Sequence, residues 1–127
     1  MARHQKSDQL LQLAIGKREN LDPNTDPLKR SFMGTDTDQI SEQEAWEIGR
    51  GIWNLDAERA LRAGEVQIVS RSTGTVLAVA VITGVTNENM GSKRALIGYA
   101  IPGDPRVGLT TKFPQPSRNA LYYVPKP

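Results

Sequence analysis

The sequence predicts an α+β fold: a small, partly open and mainly antiparallel β-barrel with two or three short helices and an N-terminal helical extension. The first ground is Glu65 to Val85, two runs rich in β-branched residues joined by Ser72-Thr73-Gly74, the composition of a β-hairpin. The second is its latter arm, Val76-Leu77-Ala78-Val79-Ala80-Val81-Ile82, in which polar and apolar residues do not alternate. Such a strand has both faces covered, as in the centre of a small barrel or of a sheet capped by helices. The third is order, since helical patterns precede strand patterns instead of alternating with them. At 127 residues the chain fits a single domain, with a helix and long loop over residues 1–40 and a core over 41–127. A domain of this size buries roughly two-thirds of the surface its unfolded chain exposes.

Taken in order, Ser7 precedes Leu10, Leu11, Ala14 and Ile15, whose spacing of three and four predicts a short helix. Ser7 would cap it and Gly16 end it, with Lys17 and Arg18 near its C-terminal end. Asn20 to Asp38 is dense in turn formers and predicts a long surface loop anchored by Leu28, Phe32 and Met33. Ser41-Glu42-Gln43-Glu44 is a capping box, so a helix should begin at Glu42 and end before Asn54. A second helix follows over Leu55 to Gly64, with Ala57 and Leu61 inward and Gly64 as its C-terminal cap. Beyond the hairpin come an exposed loop from Thr86 to Lys93, a strand from Arg94 to Ile101 and a tight turn over Pro102 to Arg106. A short edge strand over Val107 to Phe113 and a last strand over Ala120 to Val124, stopped by Pro125, complete the chain.

Several function classes are excluded by composition. The chain has no cysteine, so disulfides, a cysteine nucleophile and thiolate metal sites are absent, and a cytoplasmic location is the default expectation. The apolar patch from Leu10 to Ile15 is interrupted by Gln12 and too short for a signal or a membrane span, so no membrane association is expected. His4 is the lone histidine, which rules out a histidine-based triad or zinc site. Gly91-Ser92-Lys93 lacks the order of a phosphate loop. Asp36, Asp38, Glu42 and Glu44 lack the central glycine of a calcium loop, and turn and capping chemistry accounts for them. No metal and no cofactor are expected.

Charge is divided unevenly. Residues 1–65 carry nine Lys/Arg against twelve Asp/Glu, a net −3, whereas residues 66–127 carry seven against two, a net +5. The predicted sheet half is therefore basic, which points toward polyanions and nucleic acid.

Gly51-Ile52-Trp53-Asn54-Leu55, the hairpin, Ile97-Gly98-Tyr99 and the closing Ser117-Arg118-Asn119-Ala120-Leu121-Tyr122-Tyr123-Val124 together resemble the PUA-like modules, the group that includes EVE and ASCH domains. The likeness covers residues 51–124. It departs from the family's ending at Ala120, where proline would stand, and at Tyr122, where arginine would stand. The resemblance implies a partly open barrel with helices over its ends and a nucleic-acid-binding role, sometimes with a base received in a pocket. It also implies a bacterial setting, in defence or on mobile elements.

Recognition of a single strand or an extruded base needs flat side chains for stacking and cations for phosphate. The candidate residues are Trp53, Asn54, Lys93, Arg94, Tyr99, Arg106, Lys112 and Arg118. Asn54 would read a base edge beside Trp53, and the cations would hold phosphates. Phe113, Tyr122 and Tyr123 are further aromatics, of which the adjacent tyrosines must face opposite sides of a strand. The plain alternative for each aromatic is a packed core residue. The expected ligand is RNA or single-stranded or modified DNA, with binding that weakens in salt and on Arg94→Ala or Lys112→Ala. Two rival readings are a protein-interaction module, immunity or regulatory in kind, using the acidic helix 42–50, and a small ASCH-like hydrolase.

Overall fold

A computed structural model describes residues 8–86, 93–111 and 120–126. In chain order the elements are β1 (Gln9–Ile15), β2 (Glu19–Asn20), β3 (Phe32–Met33), α1 (Glu42–Gly49), β4 (Trp53–Asn54), α2 (Ala57–Ala63), β5 (Glu65–Ser70), β6 (Val76–Val85), β7 (Lys93–Arg94), β8 (Leu96–Ala100) and β9 (Leu121–Pro125). The fold is α+β, and among the described residues no helix is long and apolar enough to cross a membrane.

The main sheet has five strands in the order β8-β6-β5-β1-β9. Its pairs are antiparallel except β1 with β5, which run parallel. A parallel pair needs a long crossover, and α1 and α2 supply it, packing against β6, β8 and β1. The expected barrel is absent among the described residues: the sheet is open, with β8 and β9 at its edges. At the β8 edge the Leu96 N–H donates to the Arg50 carbonyl at 2.7 Å and Arg50 Nη1 donates to the Leu96 carbonyl at 3.0 Å.

Residues 9–15 form a strand, which corrects the predicted N-terminal helix. Leu11, Leu13 and Ile15 face the helix layer while Leu10, Gln12 and Ala14 face the other side, and all six are buried. A strand buried on both faces loses its alternation. Over so short an apolar run, spacings of three and four then arise without a helix.

The hairpin forms as expected. Gly74 N–H donates to Ser70 O at 2.8 Å and Ser70 N–H to Thr75 O at 2.8 Å. One face of β6 meets α1 and α2; on the other, Ile101 and Val107 cover Val69, Val76 and Val79. The predicted edge strand after Val107 is reduced to a single bridge, Thr75 to Thr110, with Lys112 and Phe113 outside the described residues. Both helices start and stop where their caps dictate. Ser41 Oγ accepts from Glu44 N–H at 3.1 Å, Asp56 Oδ1 accepts from Arg59 N–H at 3.1 Å, and Gly64 ends α2 at φ +71°. Ala60 and Ala63 are the fully buried residues of α2, and Leu61 packs against the core at its margin.

Glu65, Asp104 and Arg106 form an ionic cluster on the face away from the helices. Arg106 donates from Nη1 and Nη2 to the two Glu65 oxygens at 3.0 and 3.1 Å, and from Nε and Nη2 to the two Asp104 oxygens, both at 2.9 Å. These hydrogen bonds hold both carboxyls below their ordinary range against the opposing effect of burial. Depressed carboxyls bind fewer protons folded than unfolded, so their stabilisation is complete above about pH 4.5 and lost as pH falls through the folded values. Arg106→Leu is therefore expected to lower stability by about 1 kcal/mol at pH 7 and by less at pH 3, as urea midpoints at the two pH values would show. An equal loss at both would remove the electrostatic account.

Candidate nucleic-acid interface

Because β1 and β5 are parallel and in register, with Ile15 opposite Ser70, both chains leave the sheet at one edge. Gly16-Lys17-Arg18 follows one strand and Arg71-Ser72-Thr73 the other, and the Arg71 N–H donates to Ile15 O at 3.0 Å. In open α/β sheets ligands favour the carboxyl ends of the strands; this sheet has the one parallel pair β1–β5 to which that rule can apply. Lys17, Arg18 and Arg71 are all exposed at this edge.

The wall facing these loops is the returning half of the strap from residue 21 to residue 40. β2 pairs with β3, Asn20 opposite Phe32, and Gly34 then crosses over the end of β1. Its φ is +74°, and a Cβ there would lie 2.2 Å from Lys17 O and 2.6 Å from Gly16 O. Only glycine allows this approach. The crossing places Thr35 N–H on Gly16 O at 2.9 Å and Asp36 Oδ1 on Arg18 N–H at 3.2 Å. Further along, Asp38 ties the strap to the hairpin: Thr73 Oγ1 donates to its Oδ2 at 2.8 Å. Burial pushes the Asp38 carboxyl up, but hydrogen bonds from Thr73, Thr75 and Ser70 outweigh it and hold the group below its ordinary value.

The result is a cavity of about 330 Å³ lined by Gly16, Lys17, Thr35, Asp36, Arg71 and Ser72. A second hollow of about 250 Å³ shares Thr35 and Asp36 with it and adds Arg18 and Phe32. The Arg18 guanidinium lies 4.0 Å from the centroid of the half-buried Phe32 ring. The ring packs against the core and carries Arg18 over it, so what adjoins at these strand ends is a set of cations with hydroxyl and carboxylate acceptors, groups that can hold phosphate and meet the polar edge of a base.

The predicted residues are placed differently. Trp53 and Asn54 do meet Arg94 and Lys93, since β4 pairs with β7 in the register Trp53 to Arg94 and Asn54 to Lys93. That ladder lies beyond the Val85–Leu96 end of β6 and β8, a strand length from Lys17 and Arg71. Trp53 Nε1 donates to Gly49 O at 2.7 Å and its half-buried ring packs on the core, which is the plain structural role for this aromatic. Asn54 and Lys93 are exposed, while Arg94 Nη1 donates to Thr86 O at 3.3 Å. Tyr99 stands 58% exposed opposite Val81. Arg106 does not offer a free guanidinium to phosphate, because Glu65 and Asp104 occupy it. Lys112 and Arg118 lie outside the described residues. Of the predicted cations among the described residues, Lys93 and Arg94 stand on the β4–β7 ladder and Arg106 is held by Glu65 and Asp104.

Lys17, Arg18 and Arg71 escaped the sequence reading for one reason. With a helix over residues 7–16, Lys17 and Arg18 read as charges complementing a helix end, and Arg71, just before the Ser72-Thr73-Gly74 turn, draws no notice. Reading Gln9–Ile15 as a strand parallel to β5 would have set all three at one sheet edge. A larger cavity, of about 640 Å³ between residues 28–32 and α1, is less apt for a polyanion. Its Lys29 and Arg50 stand beside Glu44 and Glu47, and its Arg30 is bound to Asp26, whereas the strand-end hollows set Lys17, Arg18 and Arg71 against Asp36 and Glu44. Among the described residues no group of His, Asp or Glu is placed to hold a metal ion.

No family model, no curated protein and no solved structure matches this chain.

Proposed function

We propose that the protein binds single-stranded nucleic acid at the carboxyl ends of β1 and β5. The observation that carries this reading is the convergence of Lys17, Arg18 and Arg71 on adjoining cavities that also hold Phe32. The basic balance of residues 66–127, seven cations against two acids, favours the same ligand class. So does the resemblance of residues 51–124 to PUA-like modules; on this reading the open sheet is such a module's scaffold.

Fluorescence anisotropy with labelled single-stranded RNA and DNA oligonucleotides tests the proposal. Affinity should fall steeply with salt. The double variant Lys17→Ala/Arg71→Ala should bind about tenfold or more weakly, and its slope of log K against log salt should be shallower by about 1.4, roughly 0.7 for each phosphate no longer neutralised. Lys93→Ala and Arg94→Ala should bind as the parent does. If these two weaken binding and the double variant does not, the β4–β7 ladder is the interface instead. Salt-independent or absent binding to both oligonucleotides would overturn the nucleic-acid reading altogether.

A further inference from the structure

On the sheet face turned away from the helices lies another cavity, of about 450 Å³. We propose that it binds a small uncharged amide, or a lactam heterocycle presenting the same N–H and C=O edge. Its floor is a pair of strand-borne carboxamides, Gln12 on β1 and Gln67 on β5, which are opposite one another in register and only 2% and 7% exposed. Gln12 Nε2 donates to Gln67 Oε1 at 2.7 Å and to Thr111 Oγ1 at 3.0 Å, which uses both of its hydrogens. Among the described residues, the buried Gln12 Oε1 has no hydrogen-bond partner.

Glutamines are unusual floor residues here, since the neighbouring positions on the same face, Leu10, Val69 and Val79, are apolar and fully buried. A buried carbonyl oxygen without a donor is destabilising, and native proteins keep few of them. A ligand N–H would satisfy it. The Thr111 hydroxyl, bonded to the same carboxamide, accepts from Gln12 Nε2, which leaves its own hydrogen as a donor. An acceptor and a donor so linked match the edge of an amide. The match survives reversal of both side-chain amides, because an amide ligand carries a donor and an acceptor of its own.

The walls decide the charge. Leu10, Val76, Leu109 and Val124 are apolar, and the cation at the margin, Arg106, is engaged by Glu65 and Asp104. No described side chain of this lining offers a free charge to a carboxylate or a phosphate, so a neutral ligand is favoured. The volume lies within the range of small-molecule sites. None of these residues lines the strand-end cavities, so loss of either proposal leaves the other standing.

Nitrogen–proton correlation spectra of the full chain test the assignment, with nicotinamide and uracil as neutral probes and benzoate as the charged comparison. The neutral probes should produce saturable shifts in the Gln12 and Gln67 side-chain NH2 signals and the Thr111 amide, and benzoate should not. Gln12→Leu, which removes the acceptor, should abolish the shifts at Gln67 and Thr111. Should that variant not fold, Leu109→Trp serves: Leu109 is 58% exposed, so a larger side chain narrows the mouth without entering the core, and affinity should drop about tenfold. The proposal fails if neither neutral probe gives a saturable shift up to about 10 mM, if benzoate binds equally well, or if Leu109→Trp leaves the titration unchanged.

Discussion

Arg30→Ala is expected to destabilise the domain by about 3–5 kcal/mol, the range for removing one partner of a buried ion pair. The side chains of Arg30 and Asp26 are only 9% and 7% exposed. Arg30 donates from Nη2 and Nε to the two Asp26 oxygens at 2.9 and 3.0 Å, and from Nη1 to Ile48 O at 3.0 Å and to Gly51 O. Asp26 Oδ2 in turn accepts the backbone N–H groups of Leu28 and Arg30. One guanidinium therefore pins the strap to the C-terminal end of α1, and truncation leaves a buried anion and two carbonyls without their donor. The Arg30 hydrogen bond, opposed by burial, is what holds the Asp26 carboxyl below its ordinary value. The parent thus has this stabilisation in full above about pH 4 and loses it as pH falls further. In the variant the backbone N–H groups of residues 28 and 30 still act against burial, but the guanidinium's hydrogen bonds and charge are gone, so acid protonation of Asp26 costs the variant less than the parent. The gap between parent and variant should narrow from pH 7 to pH 3, followed by urea unfolding with tryptophan fluorescence. Arg30→Lys should recover less than half of the loss, since an ammonium cannot reproduce the planar fork. A variant within about 1 kcal/mol of the parent at pH 7 would show that the strap is not held this way.

Gly34→Ala should cost about 2–5 kcal/mol and, under the function proposed above, weaken polynucleotide binding as well. A left-handed residue with a side chain accounts for about 1–2 kcal/mol, and the 2.2 Å approach to Lys17 O, a backbone atom with no rotamer to yield, adds about 1–3 kcal/mol of overpacking. Relief requires the strap to lift from the end of β1. That breaks the Thr35–Gly16 hydrogen bond and moves Thr35 and Asp36 away from Lys17 and Arg71. Thermal melts would report the first effect. Anisotropy at a temperature where the variant remains folded would report the second. Full binding by a folded, destabilised variant would separate the strap from the interface, and unchanged melting would contradict the crossing itself.

The sequence by itself determined the hairpin, the start of α1 and the end of α2, whereas α2 begins at Ala57 behind its Asp56 cap and not at Leu55. Each rests on chemistry within a few residues: β-branched runs about Gly74, Ser41 accepting a backbone N–H group, and Gly64 in the left-handed region. It also carried the two-sided burial of β6 and the α+β class. Tertiary structure decided what β1 is. Leu10 to Ile15 suits a helix or a doubly buried strand equally well until β5 and β9 lie on either side. It decided as well which cations are available, because the partners of Arg106 and Arg30 include Glu65, 41 positions away, and Ile48, 18 positions away. The gathering of Lys17, Arg18 and Arg71 follows from the parallel register of two strands some fifty residues apart, Leu11 opposite Val66. Local pattern says which backbone a short run prefers; long-range pairing chooses among the backbones it leaves open, and sets which charges share an edge.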